Sequence, residues 1–152
     1  MSRVQLLEAE VAVRSVMTAY MAACDQHDAD AVANLFEPDA VWCSLADPEG
    51  TPLVGREAVR AEYALACSRL TFCVHYLANE RIRVVSDEAF GAWSYFEPVT
   101  NRGNLAVWTA GRYQHTFGRI KGVWRFRRFG IQSALAAPYN VGWVPTPEVA
   151  LP

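Results

Sequence analysis

Three histidines, four cysteines and a few placed acids and phenols are the residues of this 152-residue chain best able to move a proton or hold an ion. Neutral imidazole, with an ordinary pKa near 6.5, can take up a proton at working pH. His75 falls in an apolar segment that reads as a strand. His115 shares strand parity with Tyr113 and Phe117, so one face carries all three. His27 sits in the polar break His27-Asp28-Ala29-Asp30 and is expected at the surface. Cys24, Cys43, Cys67 and Cys73 form no C-x-x-C pair, and each lies in an apolar segment, as buried free thiols in a reducing compartment do. Scattered cysteines and histidines of this kind make no recognisable zinc pattern, and no metal is expected. Cys73 shares the parity of His75. Tyr20 and Asp25 lie on one helical segment, five residues and about 140° apart, so both can serve one site only where a helix end borders it.

The elements that must position these residues follow from periodicity. From about Gln5 to Gln26, Val13, Val16, Met17, Tyr20 and Cys24 recur at helical spacing. Asp28 or Asp30 can cap a short second helix reaching about Phe36. Ala40 to Leu45 reads as a strand, and Asp47 to Pro52 as a turn-rich loop. A third helix follows Gly55, with Val59, Tyr63, Cys67 and Leu70 on one face. The period then shifts toward two, giving strands over 71–78, 80–86, 89–97, 105–120 and 123–135, with tight turns at Asp87-Glu88 and Lys121-Gly122. Helices first and successive hairpins after them imply an α+β domain, a curved antiparallel sheet with three helices collected on one side. One domain is expected, its core over about 5–135 and an irregular tail over 136–152 whose aromatics pack back.

Composition narrows the function. The chain is 52% hydrophobic and 20% charged, with a formal net charge of −2, which describes a globular protein and gives no electrostatic reason to expect nucleic acid or an anionic membrane. Arg112, Arg119, Arg125, Arg127 and Arg128 read as solvent-facing positions on strands. No segment has signal-peptide character or approaches a membrane span, so a cytoplasmic protein is expected. The phosphate loop, G-x-G-x-x-G, G-x-S-x-G and H-E-x-x-H are absent.

The order of elements, together with Tyr20-Met21-Ala22-Ala23-Cys24-Asp25, Asp28 to Phe36, Asp39-Ala40-Val41-Trp42, Gly55-Arg56-Glu57-Ala58-Val59, the segment holding His75, Gly111-Arg112-Tyr113 and Gly122-Val123-Trp124-Arg125-Phe126, resembles the SnoaL-like branch of the nuclear transport factor 2 superfamily over about Val11 to Ile131. That resemblance implies a cone-shaped fold around a mostly apolar pocket. Dehydratase-like members such as scytalone dehydratase, bile acid 7α-dehydratase and hexachlorocyclohexane dehydrochlorinase pair an Asp near the end of the first helix with a His after the third. Asp25 and His75 hold those places. By the same resemblance, Tyr20 and His115 assist them. Trp42, Tyr63, Cys73, Tyr95, Tyr113 and Phe117 are the expected pocket walls. Where many members carry an Arg five residues after the Trp of the last hairpin, this chain has Phe129, which disfavours an anionic leaving group.

The resemblance thus implies a cofactor-independent lyase, a dehydratase for a hydrophobic, hydroxylated, cyclic carbonyl compound, working as a homo-oligomer, dimer or trimer. An isomerase or polyketide-type cyclase using the same residues, and a non-catalytic binding or subunit domain, stand as alternatives, because fold alone does not give function.

Overall fold

The computed structural model describes residues 1–47 and 49–143. Helix α1 (Arg3–Asp25) begins at Ser2, whose side chain accepts from the Gln5 backbone while the Gln5 side chain accepts from the Ser2 backbone, a reciprocal cap. Its buried stripe runs through Val13, Val16, Met17, Tyr20, Met21 and Cys24. Asp28 caps the short α2 (Ala29–Asn34) by accepting from the Ala31 N–H at 2.8 Å. Strand β1 (Phe36–Ser44) and the two-residue β2 (Leu53–Val54) lead into α3 (Arg56–Arg69), entered through Gly55 at φ 94°, a conformation that favours glycine.

The rest of the described chain is sheet: β3 (Leu70–Cys73), β4 (Tyr76–Val85), β5 (Glu88–Asn101), β6 (Ala106–Ile120) and β7 (Val123–Pro138). The strand order is β2-β1-β7-β6-β5-β3, with β4 also on β5. All pairings are antiparallel except that of β1 with β7, which is parallel. The sheet is therefore mixed, and β1 extends the hairpin series from a distance. Hairpins β4–β5, β5–β6 and β6–β7 match the expected succession. Several boundaries differ: α2 stops at Asn34 rather than about Phe36, β1 starts at Phe36 rather than Ala40, and β5 runs on past Glu97 to Asn101. The strand expected over 71–78 is split in two around Val74 and His75, and β7 runs on to Pro138, so the tail starts later. Tyr139 and Trp143 pack on Trp108, as expected of the tail aromatics; residues 144–152 lie outside the described residues.

Long β5, β6 and β7 curl because pairing shifts at Ala110/Gly111 and Thr116/Phe117. Such bulges bend a strand and raise its twist. Gly111 marks the tightest place: a Cβ there would strike the Gln132 carbonyl and the Tyr95 ring. The inward row of β6, Val107, Thr109, Tyr113, His115 and Phe117, is buried, and α1 lies across the concave face. Phe36, Phe117, Phe126 and Phe129, fully buried, close one end of the cone. The other end, where α1 stops and β3 breaks off, stays open. No described helix is long and apolar enough to cross a membrane.

Candidate active site

The open end collects polar side chains from six elements. Asp25 is the last residue of α1. His75 lies in the gap between β3 and β4, where Cys73 pairs with Val99 and Tyr76 with Phe96. The gap leaves the His75 backbone N–H out of the ladder, and it donates to Asp25 Oδ1 at 3.1 Å. The same oxygen lies 2.6 Å from His75 Nδ1. Two bonds to one carboxylate oxygen place the ring proton on Nδ1 and fix the ring, leaving Nε2 to face elsewhere.

Nε2 faces a residue the sequence reading did not single out. Glu97 Oε1 lies 3.2 Å from it. Thr109, the cross-strand partner of Glu97, holds this carboxylate, its hydroxyl lying 3.1 Å from Oε2 and 3.0 Å from the Glu97 carbonyl oxygen. Burial pushes the Glu97 carboxyl up; His75 and the Thr109 hydroxyl pull against it, and the charge of Asp25 adds to the rise. With Nδ1–H committed to Asp25, Nε2 is the ring nitrogen left to meet Oε1, and the two are in charge contact at that distance. The signal for Glu97 was present in the sequence: it shares the parity of Trp93, Tyr95 and Val99, an acid in an otherwise apolar inward row.

These groups open on a cavity of about 220 Å³, lined among others by Tyr20, Trp42, Tyr63, Cys73, His75, Glu97 and Tyr113. Its lining also carries a donor set. The Tyr20 and Tyr63 hydroxyls are 2.5 Å apart, so one donates to the other and one O–H remains. Burial holds both phenols well above their ordinary range, so they stay protonated; the Trp42 indole pulls that of Tyr63 back slightly. Trp42 Nε1 itself is buried without a well-formed hydrogen bond. Tyr20 and Asp25 both reach the open end because α1 terminates there, which resolves their 140° offset.

The remaining expected residues divide. Cys73 lines the cavity, its thiol 3.4 Å from the Cys24 carbonyl oxygen and 3.4 Å from His27 Nε2. His27 is therefore not a free surface residue: it is half-buried, sits at φ 56°, and lines the cavity. Tyr95 packs on Tyr113 at 4.6 Å and Phe117 belongs to the fully buried core; neither lines the cavity. His115 faces inward, as its parity requires, but too deep. It stacks on Phe129 at 4.1 Å, among Phe126, Tyr113 and Trp93, and neither ring nitrogen makes a well-formed hydrogen bond. Burial pushes it down to about 3, against a weak opposing pull from the Gln114 backbone. A larger hollow, about 610 Å³ beside Met1, Gln5 and Trp124, carries no histidine among its described lining residues and shares none of them with this site.

Residues 5–130 match the family model of the SnoaL-like domain. The chain belongs to that family. Among solved structures, this SnoaL-like protein is similar to a candidate scytalone dehydratase from Novosphingobium aromaticivorans, at 21% identity, covering 91% of this chain and 92% of that one with a TM-score of 0.80. It is similar to the hexachlorocyclohexane dehydrochlorinase LinA-type3 from Novosphingobium barchaimii, at 22% identity, 95% and 100% coverage and a TM-score of 0.77. It is also similar to a candidate aromatic ring hydroxylase from Novosphingobium aromaticivorans, at 26% identity, 87% and 94% coverage and a TM-score of 0.78. No functionally curated protein matches the sequence. The neighbours establish the cone fold of the nuclear transport factor 2 type, with dehydratase-like proteins among those that share it.

Proposed function

We propose that this protein is a cofactor-independent dehydratase for a compact, hydrophobic, cyclic β-hydroxy carbonyl compound. The observation that carries the reading is the chain Asp25–His75–Glu97 beside a cavity that is also lined by the paired phenols of Tyr20 and Tyr63. A substrate carbonyl oxygen takes the O–H left over from the Tyr20–Tyr63 pair, with the buried Trp42 indole behind Tyr63. His75 Nε2 removes the proton between the carbonyl and the hydroxyl-bearing carbon, Asp25 stabilising the imidazolium that forms. The enolate charge settles on the oxygen held by those donors. Collapse of the enolate expels the hydroxyl, which leaves as water with a proton from the Glu97 carboxylic acid, or from His75 when that proton has passed back. The conjugated carbonyl departs and the pair again holds one proton. General acid–base help of this kind is worth about 10²–10⁴-fold.

Two features refine the substrate. The cavity lies below the roughly 300–1,000 Å³ usual for ligand pockets, which favours one or two rings over a polycyclic or terpenoid-sized skeleton. No Lys or Arg lines it among the described residues, and Phe129 is buried against His115, so an anionic leaving group has no countercharge. A neutral hydroxyl, leaving as water, fits better.

Isomerisation or cyclisation would begin with the same proton removal and differ in where the proton returns. A binding role alone would leave the two-carboxylate contact of an enclosed histidine without a task. The test is a panel of cyclic β-hydroxy ketones followed by the rise of conjugated-enone absorbance. Turnover by the wild type and none by His75→Ala supports the reading. Binding of the panel without turnover moves the protein to the binding class, and an isomeric product without loss of water moves it to the isomerases. We also propose a cytoplasmic dimer or trimer, associated through the outer sheet face where Phe96, Trp108, Tyr139 and Trp143 cluster; Tyr139 is 65% and Trp143 64% exposed. A monomer mass by light scattering at micromolar concentration would remove that part.

A further inference from the structure

Two short segments face each other at the open end: Asp25-Gln26-His27, where α1 stops, and Cys73-Val74-His75, where β3 stops. In each, the two side chains that matter are two residues apart. They meet in crossed pairs, Asp25 Oδ1 with His75 Nδ1 at 2.6 Å and His27 Nε2 with Cys73 Sγ at 3.4 Å. Ligand-capable atoms of Asp25, Cys73 and His75 all lie within 4.8 Å of one another. We propose that Asp25, Cys73 and His75 form a binding site for a borderline transition-metal ion of the Zn²⁺ type, with His27 beside the cysteine sulfur, and that the bound ion shuts the catalytic site by occupying its base.

The donor set is one such ions accept, a thiolate, an imidazole and a carboxylate with a fourth position open, with zinc–ligand distances of about 2.3 Å to sulfur and 2.0–2.2 Å to nitrogen and oxygen. Two ligands on one tetrahedral centre with those bond lengths are roughly 3.3–3.6 Å apart, and the ligand atoms of Asp25, Cys73 and His75, all within 4.8 Å of one another, need only small shifts to reach it. Asp25 and His75 are closer because a proton holds them together. The ion replaces that proton and spreads the pair by somewhat under 1 Å, within the freedom of an Asp side chain whose second oxygen makes no hydrogen bond to a described residue.

The proton balance is simple. The Cys73 thiol loses its proton as sulfur becomes thiolate, and the proton between Asp25 and His75 leaves as Nδ1 turns to the ion. The proton shared by Nε2 and Glu97 stays. His75 then coordinates through Nδ1 and donates from Nε2 to the Glu97 carboxylate, which Thr109 in turn holds. A ligand histidine whose other nitrogen donates to a carboxylate is the usual outer support of a metal site. So the group that shares the proton of the metal-free site steadies the ligand of the metal-bound one. The ion-binding part of the proposal is independent of the dehydratase reading; the loss of activity rests on it.

The test uses the full chain, stripped with a chelator and titrated with Co²⁺ alone, then with Zn²⁺ in competition. One Co²⁺ per chain is expected, with the near-ultraviolet band of a cobalt–thiolate bond, displaced by Zn²⁺, and with release of two protons in weakly buffered solution. Cys73→Ser loses the band; Cys67→Ser, on the same cavity wall, keeps it. His27→Ala, with the fold checked by circular dichroism, removes only the contact to the Cys73 sulfur, so it keeps the band and weakens binding by about tenfold. No stoichiometric uptake at micromolar Co²⁺, or a thiolate band that survives Cys73→Ser, overturns the site. Tight Co²⁺ binding with no turnover of any ketone would overturn the dehydratase reading and leave the site standing; turnover unaffected by saturating Zn²⁺ would overturn the shut-off.

Discussion

His75 and His115 are the same side chain in two regions of one cone, and their surroundings separate an imidazole with polar partners and a cavity before it from a packed one. His75 stands in a gap between strands, a carboxylate on each ring nitrogen and a cavity before it. His115 stands in the middle of a strand, 3% exposed, ringed by aromatics and without a well-formed hydrogen bond. Burial alone drives His115 down to about 3, so it is neutral at any working pH and has nothing to exchange a proton with. Access and polar partners, not the residue type or its inward parity, mark the position fit for chemistry.

The comparison breaks most sharply by exchanging the losses. His75→Ala is expected to drop turnover to background with the fold retained, whereas His115→Phe keeps turnover within about twofold and raises stability, since an apolar ring replaces an unsatisfied polar one. Steady-state kinetics and chemical denaturation of both variants check this; a reversed outcome would place the chemistry at the closed end. Asp25→Asn comes next. It keeps the shape but neutralises the partner of Nδ1, and kcat is expected to fall about 10²–10⁴-fold with KM little changed. Glu97→Gln should cost about 10²-fold in kcat, because an amide can bond Nε2 yet cannot carry a proton. It should also simplify the acid limb of the pH–rate profile, where the raised Glu97 carboxyl titrates in the wild type; an unchanged profile would reduce Glu97 to a wall residue.

Smaller effects sharpen the picture. Tyr63→Phe and Tyr20→Phe are each expected to cost about tenfold, less than the roughly 10²–10³ of losing an oxyanion donor outright, because the surviving phenol keeps its O–H. For His115, the native state stays neutral down to about pH 3 while the unfolded chain takes up a proton below about 6.5. The native state thus keeps its full stability above that range and loses it as pH falls through the window. A loss of about 1–3 kcal/mol between pH 7 and pH 4, flattened in His115→Phe, is the expected result of denaturant titrations.

Much of this was legible from the sequence, for reasons the residues make plain. The stripe Val13, Val16, Met17, Tyr20, Cys24 fixes the buried face of α1, and period-two alternation with turns at Asp87 and Lys121-Gly122 fixes the hairpins. Parity put His115 on the inward face, but parity has no depth: it does not say which stretch of a long curled strand lines the cavity and which is packed solid. The break that frees the His75 N–H leaves no local mark, because Val74 and His75 suit a strand as well as their neighbours do. Glu97 was readable in principle, as the one acid in the row Trp93, Tyr95, Val99. His27 was read from its polar neighbours, while its burial is decided by Cys73, 46 residues away. The parallel pairing of β1 was not readable at all, since strand order at such separation depends on the whole fold.

That pairing has a consequence for how the molecule comes into being. β1 is made early, but its sheet partner, from Phe126 to Ile131, is among the last described residues to be synthesised. Until then, the edge of β1 that faces β7 has no ladder, and Trp42, which walls the cavity, has no Phe129 beside it. Contacts this distant close late and slowly. A nascent or truncated chain that ends before β7 therefore offers an unpaired apolar edge to its surroundings, a species prone to aggregate and dependent on chaperones.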